Sequence, residues 1–185
     1  MRIGVLALQG AFVEHISKLQ KLGVDNIELR QRKDICENLD GLILPGGEST
    51  AMRKLLIELD LLEPLKAMIA EGMPVFGTCA GMILLASEIE GSDGHHFGTI
   101  PMCVRRNAYG RQLGSFHTDA EVSGIGMVPM TFIRAPYVAH TGDGVEVTAQ
   151  VDGKIVGVRY KNQLAFSFHP ELDDDTRIHE AFLKL

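Results

Sequence analysis

Apolar residues run unbroken from Ile3 to Leu8, with no alternation, so this segment reads as a strand buried on both faces of a largely parallel sheet. Phe12, Ile16, Leu19 and Leu22 then recur at helical spacing, with Glu14, Lys18 and Lys21 between them and Gly23 as the stop. Asn26 to Leu29 predicts a second strand, residues 35–39 a short polar helix-like piece, and Gly41 to Leu44 a third strand. The turn Pro45-Gly46-Gly47-Glu48-Ser49-Thr50 opens a helix through Leu59, and a further helix runs to about Glu71 and ends at Gly72. Pro74 to Gly77 is a short buried strand that feeds almost at once into a helix over Ala80 to Ser87. From Gly91 to Gly126 the pattern weakens, and mixed strands and loops are expected. Val145 to Val151 and Ile155 to Tyr160 predict antiparallel strands joined at Asp152 and Gly153, Leu164 to Phe168 a buried strand, and Asp173 to Thr176 the cap of a last helix to Leu185. This is βαβ rhythm without a repeat or linker. Residues 1–185 are therefore expected to form one three-layer α/β domain, a largely parallel central sheet flanked by helices.

Charge and composition narrow the function. Eighteen basic residues against 24 acidic ones give a net charge of -6, and no basic block occurs, which argues against a nucleic-acid partner. The longest nearly apolar stretch, Met73 to Ala86, is shorter than the roughly 20 residues of a membrane span and is broken by Pro74, Gly77, Thr78 and Gly81. Arg2 and the run after it imitate the start of a signal sequence, but Gln9, Glu14 and His15 follow directly, so a first strand in a cytoplasmic protein is expected. Cys36, Cys79 and Cys103 are far apart and odd in number, which encodes neither a disulfide framework nor a zinc knuckle.

Gly77-Thr78-Cys79-Ala80-Gly81 has the Gly-x-nucleophile-x-Gly form of a nucleophile elbow with cysteine in the serine position. A sharp strand-to-helix turn needs small neighbours, and a helix N-terminus favours the attacking thiolate. On its own the motif is balanced by a plain reading, a small buried cysteine in a packing turn. His169-Pro170-Glu171 supplies what a cysteine nucleophile needs: in extended backbone, residues two apart share a side, so Glu171 can orient His169 as the base. Gly46-Gly47-Glu48-Ser49 is a Gly-rich turn at the carboxyl end of a strand, where α/β sheets place ligands, and the N–H groups of Gly47 and Ala80 are candidates for an oxyanion hole. Neither a P-loop nor a dinucleotide fingerprint is present. His95, His96 and His117 lack helical ligand spacing and read as solvated loop, so no metal site is assigned. Arg105 and Arg106 read as surface, or as a grip on a carboxylate, and Asp173, Asp174 and Asp175 as a helix cap.

These residues together resemble the glutaminase subunits of pyridoxal 5'-phosphate synthases, within the class I, triad-type glutamine amidotransferases. The likeness covers nearly the whole chain: LALQGAFVEH ending at His15, LPGGEST at 44–50, GTCAGMILLA at 77–86, RRNAYGRQ at 105–112, FIRAPY at 132–137 and FSFHPELDDDTRIHE at 166–180. It implies a flavodoxin-like fold, Cys79 as nucleophile, His169 as base and Glu171 as its orienter. It places Gly47, Glu48, Ser49, Arg106, Ile133 and Arg134 against L-glutamine. It further implies no cofactor, and a partner that consumes the ammonia, a barrel-shaped synthase subunit. Segments 114–117 and 126–131 depart from the family pattern. Two other classes remain open: a non-catalytic docking protein, against which the intact triad argues, and a free-standing cysteine hydrolase of γ-glutamyl compounds, which would need no partner.

Overall fold

The computed structural model describes residues 1–35, 38–92, 96–106 and 114–185. Five parallel strands carry the order β2 (Asp25–Leu29), β1 (Arg2–Leu6), β3 (Gly41–Leu44), β4 (Val75–Thr78), β12 (Gln163–Phe166). Beyond β12 the sheet turns antiparallel through β11 (Lys154–Tyr160), β10 (Glu146–Val151), β7 (Ser115–Val122) and β8 (Gly126–Ile133). A branch leaves β11 through β9 (Tyr137–Thr141) to β6 (Ile100–Arg105) and β5 (Ala86–Ile89).

The unbroken apolar runs have their cause in this arrangement. Along β1, Ile3 and Val5 face one core and Leu6 the other; along β3, Ile43 faces the first, Leu42 and Leu44 the second. Both sides of the parallel strands are thus covered. On the side of Leu42 lie α2 (Ser49–Glu58), α3 (Leu62–Ala70) and α4 (Ala80–Leu85), through Met52, Leu56, Leu65, Ile69 and Met82. On the other lie α1 (Phe12–Lys21) and α5 (Arg177–Phe182), through Leu19, Ile178 and Phe182. Helices above and below a central sheet make three layers. The consequence for function is positional: β1, β3, β4 and β12 all run the same way, so their carboxyl ends deliver the loops after Leu6, Leu44, Thr78 and Phe166 to one edge.

Several elements differ from the sequence pattern. The helix expected over Ala80 to Ser87 ends at Leu85, because Ala86 turns extended and β5 pairs with β6. Tertiary hydrogen bonding decides there over local propensity. A 3₁₀ turn occupies Arg32–Asp34, and the helix-like piece expected at 35–39 falls partly outside the described residues. The weak segment contains β6 and β7, the latter forming a long hairpin with β8 whose exposed and half-buried residues alternate. Pro129 is accommodated because β8 is the sheet's last strand. The last helix is short, and Asp175 serves its start by accepting the Arg177 N–H at 2.9 Å.

Candidate active site

Cys79 sits between β4 and α4 with φ 49° and ψ -100°, a backbone conformation that costs a residue with a side chain energy and that the surroundings hold in place. Its N–H donates to the Phe166 carbonyl at 2.8 Å, pinning the elbow to the end of β12. The small residues have a steric reason. A Cβ on Gly81 would lie 2.0 Å from the Leu44 carbonyl oxygen, so only glycine lets the helix start directly against β3.

His169 arrives from the loop after β12, its N–H bonded to the Thr131 carbonyl at 2.8 Å. Its Nδ1 is 2.7 Å from Oε1 of Glu171, and it lines the cleft with Cys79, whose thiol lies 3.9 Å from the Ile133 carbonyl oxygen. Burial alone would lower the imidazole's pKa, but the neighbouring Cys79 and Glu171 outweigh it and raise the value to about 10. Glu171 is 4% exposed, and burial pushes its carboxyl above the usual range in spite of His169. Gly46 closes the approach from the β3 side: a Cβ there would stand 2.1 Å from Cε1 of His169.

These groups face a cleft of about 820 Å³. Cys79 and His169 line it with Gly47, Glu48, Ser49, Arg106, Ile133 and Arg134, so the structure brings together residues from separated stretches of sequence. Ala80 and Glu171 lie behind the lining, both buried. The Ala80 N–H heads helix α4, where no intrahelical acceptor exists for it. Glu48 caps α2, accepting from Thr50 N at 2.9 Å and Ala51 N at 2.7 Å; against the cost of desolvation, these bonds keep its carboxyl below the ordinary range. Arg106 donates to Thr50 Oγ1 at 3.2 Å on the same rim, and Arg134 holds φ 46° with its N–H on the Gly114 carbonyl at 2.6 Å. Of the stretch 105–112, only Arg105 and Arg106 are among the described residues. Arg105 is committed elsewhere, paired with Glu90 and donating to the Tyr137 hydroxyl at 2.9 Å.

The sequence pattern missed a buried polar layer beneath the triad. His15 and Lys18 sit on the inner face of α1, and His179 on α5, all buried. Lys18 Nζ donates to the carbonyls of Asp173 and Asp175. Spacing gave the signal in part: residues 12, 15, 16, 19 and 22 share one helical stripe, and His15 falls inside it. Burial, then the charges of His179, His169 and Lys18, hold His15 well below the ordinary 6.5; burial and Lys18 hold His179 at about 3.

That depression has a consequence for stability. Between pH 6.5 and about 3 the unfolded chain binds a proton at His179 that the folded chain refuses, and His15 acts in the same direction below 6.5, so stability falls as pH falls. For His179 the slope reaches about 1.4 kcal/mol per pH unit within this window. His169 does not offset it, because with a folded value of about 10 it is protonated in both states below pH 6.5; Glu171, whose carboxyl burial raises, opposes it as pH falls toward the ordinary carboxylate range, one group against two. The contribution of His169 is lost as pH rises toward 10 instead. Urea midpoints should therefore drop from about pH 7 to about pH 5, and less steeply in His179→Leu. Equal midpoints at both pH values would contradict the neutral buried pair.

Among the described residues, the remaining histidines do not assemble. His96 is buried rather than solvated, His117 stands on β7 against Thr131 Oγ1 at 3.0 Å, and His95 is outside the described residues. Away from the cleft, Glu88, Cys103 and His140 have ligand atoms within 4.8 Å of one another, with His140 Nε2 3.9 Å from Glu88 Oε2. The Glu88 and His140 side chains are exposed. No helix among the described residues is long and apolar enough to cross a membrane.

Comparison with known proteins places the arrangement. The model of the SNO glutamine amidotransferase family matches residues 5–185. The pyridoxal 5'-phosphate synthase subunit PdxT of Desulfitobacterium hafniense (strain Y51) is 60% identical over 99% of this chain and 92% of its own length. The protein of the same name from Streptococcus pneumoniae (strain ATCC 700669 / Spain 23F-1) is 55% identical over 100% of this chain and 97% of its own. A crystal structure of a glutamine amidotransferase superposes with a TM-score of 0.94 at 46% identity, covering 98% of this chain and 97% of that one. A glutamine amidotransferase from Thermotoga maritima, at 14% identity and a TM-score of 0.66 over 100% of this chain and 83% of that one, shares the fold.

Proposed function

Because the chain belongs to the SNO glutamine amidotransferase family, we propose that residues 1–185 act as one glutaminase domain that hydrolyses L-glutamine through Cys79. The ammonia goes to the synthase subunit of a pyridoxal 5'-phosphate synthase, the complex named for its relatives, in the cytoplasm. The observation that carries the mechanism is His169 held between Glu171 at 2.7 Å and the Cys79 thiol at a strained elbow. The Cys79 thiolate attacks the side-chain amide carbon, and the N–H groups of Gly47 and Ala80 bind the oxygen as it gains charge. When the C–N bond breaks, the His169 imidazolium gives its proton to the departing ammonia. Water, deprotonated by His169, then attacks the thioester, releasing glutamate and restoring the thiolate. Glu171 keeps the ring oriented and stabilises its positive form throughout. This route needs no cofactor or metal.

Glutamine recognition falls to the rim. Arg106 is suited to the α-carboxylate, with Glu48, Ser49, Ile133 and Arg134 completing the cleft. Two variants separate binding from turnover. Glu171→Gln removes charge behind the base without touching the cleft, so kcat should fall on the order of 100-fold or more while KM stays within about twofold. Arg106→Ala should instead raise KM on the order of 10-fold or more with a smaller change in kcat. Steady-state glutamate release in the presence of synthase subunit reads both. An unchanged KM in Arg106→Ala rejects the carboxylate role.

A further inference from the structure

Glu171 presents two oxygens to its surroundings, and only one is accounted for by His169. Oε2 is fully buried and makes no hydrogen bond; His15 Nε2 stands 3.4 Å from it. The same His15 nitrogen is 3.1 Å from Oγ1 of Thr78, the residue before the nucleophile, and its Nδ1 is 3.0 Å from Nε2 of His179. His15 thus touches the chain beside both members of the catalytic pair. We infer that His15, backed by His179, is a positioning residue for the reaction: its Nε2–H faces Glu171 Oε2 and holds that carboxylate anionic and aimed at His169.

The direction of the protons follows from counting donors. Two neutral arrangements satisfy the contact between His15 and His179. In one, His15 Nδ1–H donates to His179 Nε2, which puts the His179 proton on Nδ1. That atom is buried and has no hydrogen-bond partner, so a donor is orphaned. The His15 Nε2 lone pair would then face the Glu171 carboxylate, two acceptors against each other. In the other, His179 Nε2–H donates to His15 Nδ1, and His15 Nε2–H points to Glu171 Oε2 and Thr78 Oγ1. Only an acceptor, His179 Nδ1, remains unpaired. An orphaned buried donor and opposed acceptors together cost more than one orphaned acceptor, so the second arrangement prevails.

Burial first, and then the surrounding charges, keep both rings neutral. On α1, Lys18 disfavours a proton on either histidine, and Glu14 disfavours charge on Glu171. His169 faces His15 from the loop after β12 and favours the Glu171 charge, whereas β4 contributes only the Thr78 hydroxyl. The Asp173 and Asp175 carbonyls hold Lys18 in place. Without a donor at Oε2, a carboxylate already disfavoured by burial takes up a proton more readily, and the His169 imidazolium loses its stabilising charge.

The inference rests on the triad reading above, and its test separates the two. In His15→Phe the ring volume and the edge contact with Phe76, 5.6 Å between centroids, are kept and the donor is lost. Assayed with saturating synthase subunit, kcat should fall about 10- to 100-fold with KM for glutamine within about twofold. The alkaline limb of the kcat profile should move down by about one pH unit. His15→Gln places an amide N–H near the Nε2 position and should recover activity to within about fivefold of the parent. Equal losses in both variants with the limb unmoved would assign His15 to packing and overturn the inference. Nitrogen-15 NMR of the unmutated chain gives a second answer independent of activity and of the folding of any variant. Both His15 and His179 should be neutral Nε2–H tautomers at neutral pH, and a proton on Nδ1 of His15 would refute the arrangement.

Discussion

Cys79→Ala should abolish glutamine hydrolysis, with glutamate release in the presence of the synthase subunit falling on the order of a thousandfold or more, while the protein stays folded. The magnitude follows from what is deleted: His169 and the oxyanion donors remain, but no atom is left to form the thioester. The fold survives because the change removes one sulfur from a site that already holds its strained backbone through the Phe166 carbonyl and the glycines around it. Stability should change by about 1 kcal/mol or less. A glutamine-like electrophile should label Cys79, on the cleft wall, well ahead of Cys103, whose thiol burial and the Glu88 and Glu90 carboxylates push up. Preferential labelling of Cys103 in the folded chain, or full activity in Cys79→Ala, would remove the nucleophile assignment.

The second large effect concerns the partner. Isolated chain should be a poor glutaminase, and saturating synthase subunit should raise kcat on the order of 100- to 1,000-fold, the worth of one oxyanion donor. The physical basis is the Gly46-Gly47 peptide. Its carbonyl accepts the Ala11 N–H at 3.0 Å, and in a trans peptide the Gly47 N–H must then point the opposite way. Turning that N–H means breaking the bond to Ala11, and glycines on both sides of the peptide make the rotation sterically cheap. Residues 9–11 line the rim of the same cleft, and Gln9 Nε2 donates to the Glu48 carbonyl at 2.9 Å, so the rim and the turn are joined. A partner docking near this rim can select one peptide orientation and so couple ammonia release to its consumer. Titration of the chain with synthase subunit should drive glutamate formation to a plateau. Full activity in the chain alone would refute the coupling and favour the free-standing hydrolase.

What the sequence made legible follows from the physics of each signal. Two-sided burial leaves unbroken apolar runs, and so β1, β3, β4 and β12 stand out along the chain. The strands β8 and β9 do not. β8 buries every second residue, Val128, Met130 and Phe132, but Pro129 and the exposed apolar Met127 and Ile133 blur that period in the sequence, and β9 has only one buried residue, Val138. The break at Ala86 was equally hidden, since the pairing of β5 with β6 is set by a strand fourteen residues away.

At the site, residues that must be small or nucleophilic announced themselves: the glycines around Cys79 and the glycine pair at 46 and 47 exist because side chains there would collide with the Gly81 backbone, Leu44, His169 or Gln9. The layer behind them was illegible for the opposite reason. Lys18 looks like any surface lysine on a helix, and only the approach of the Asp173 and Asp175 carbonyls from the far end of the chain makes its burial possible. His15 and His179 are 164 residues apart, and nothing local marks either as the other's partner.

The central claim is that glutamine passes through a covalent bond to Cys79, and rapid acid quenching of the chain, mixed with glutamine and the synthase subunit, tests it most directly. Low pH halts the His169-assisted attack of water, so the thioester persists long enough for peptide mapping by mass spectrometry. The account predicts a γ-glutamyl adduct on the peptide containing Cys79, formed within the first turnover and absent from Cys79→Ala. Glutamate release at the full rate with Cys79 unmodified at every quench time, or the adduct found on Cys103, would contradict it.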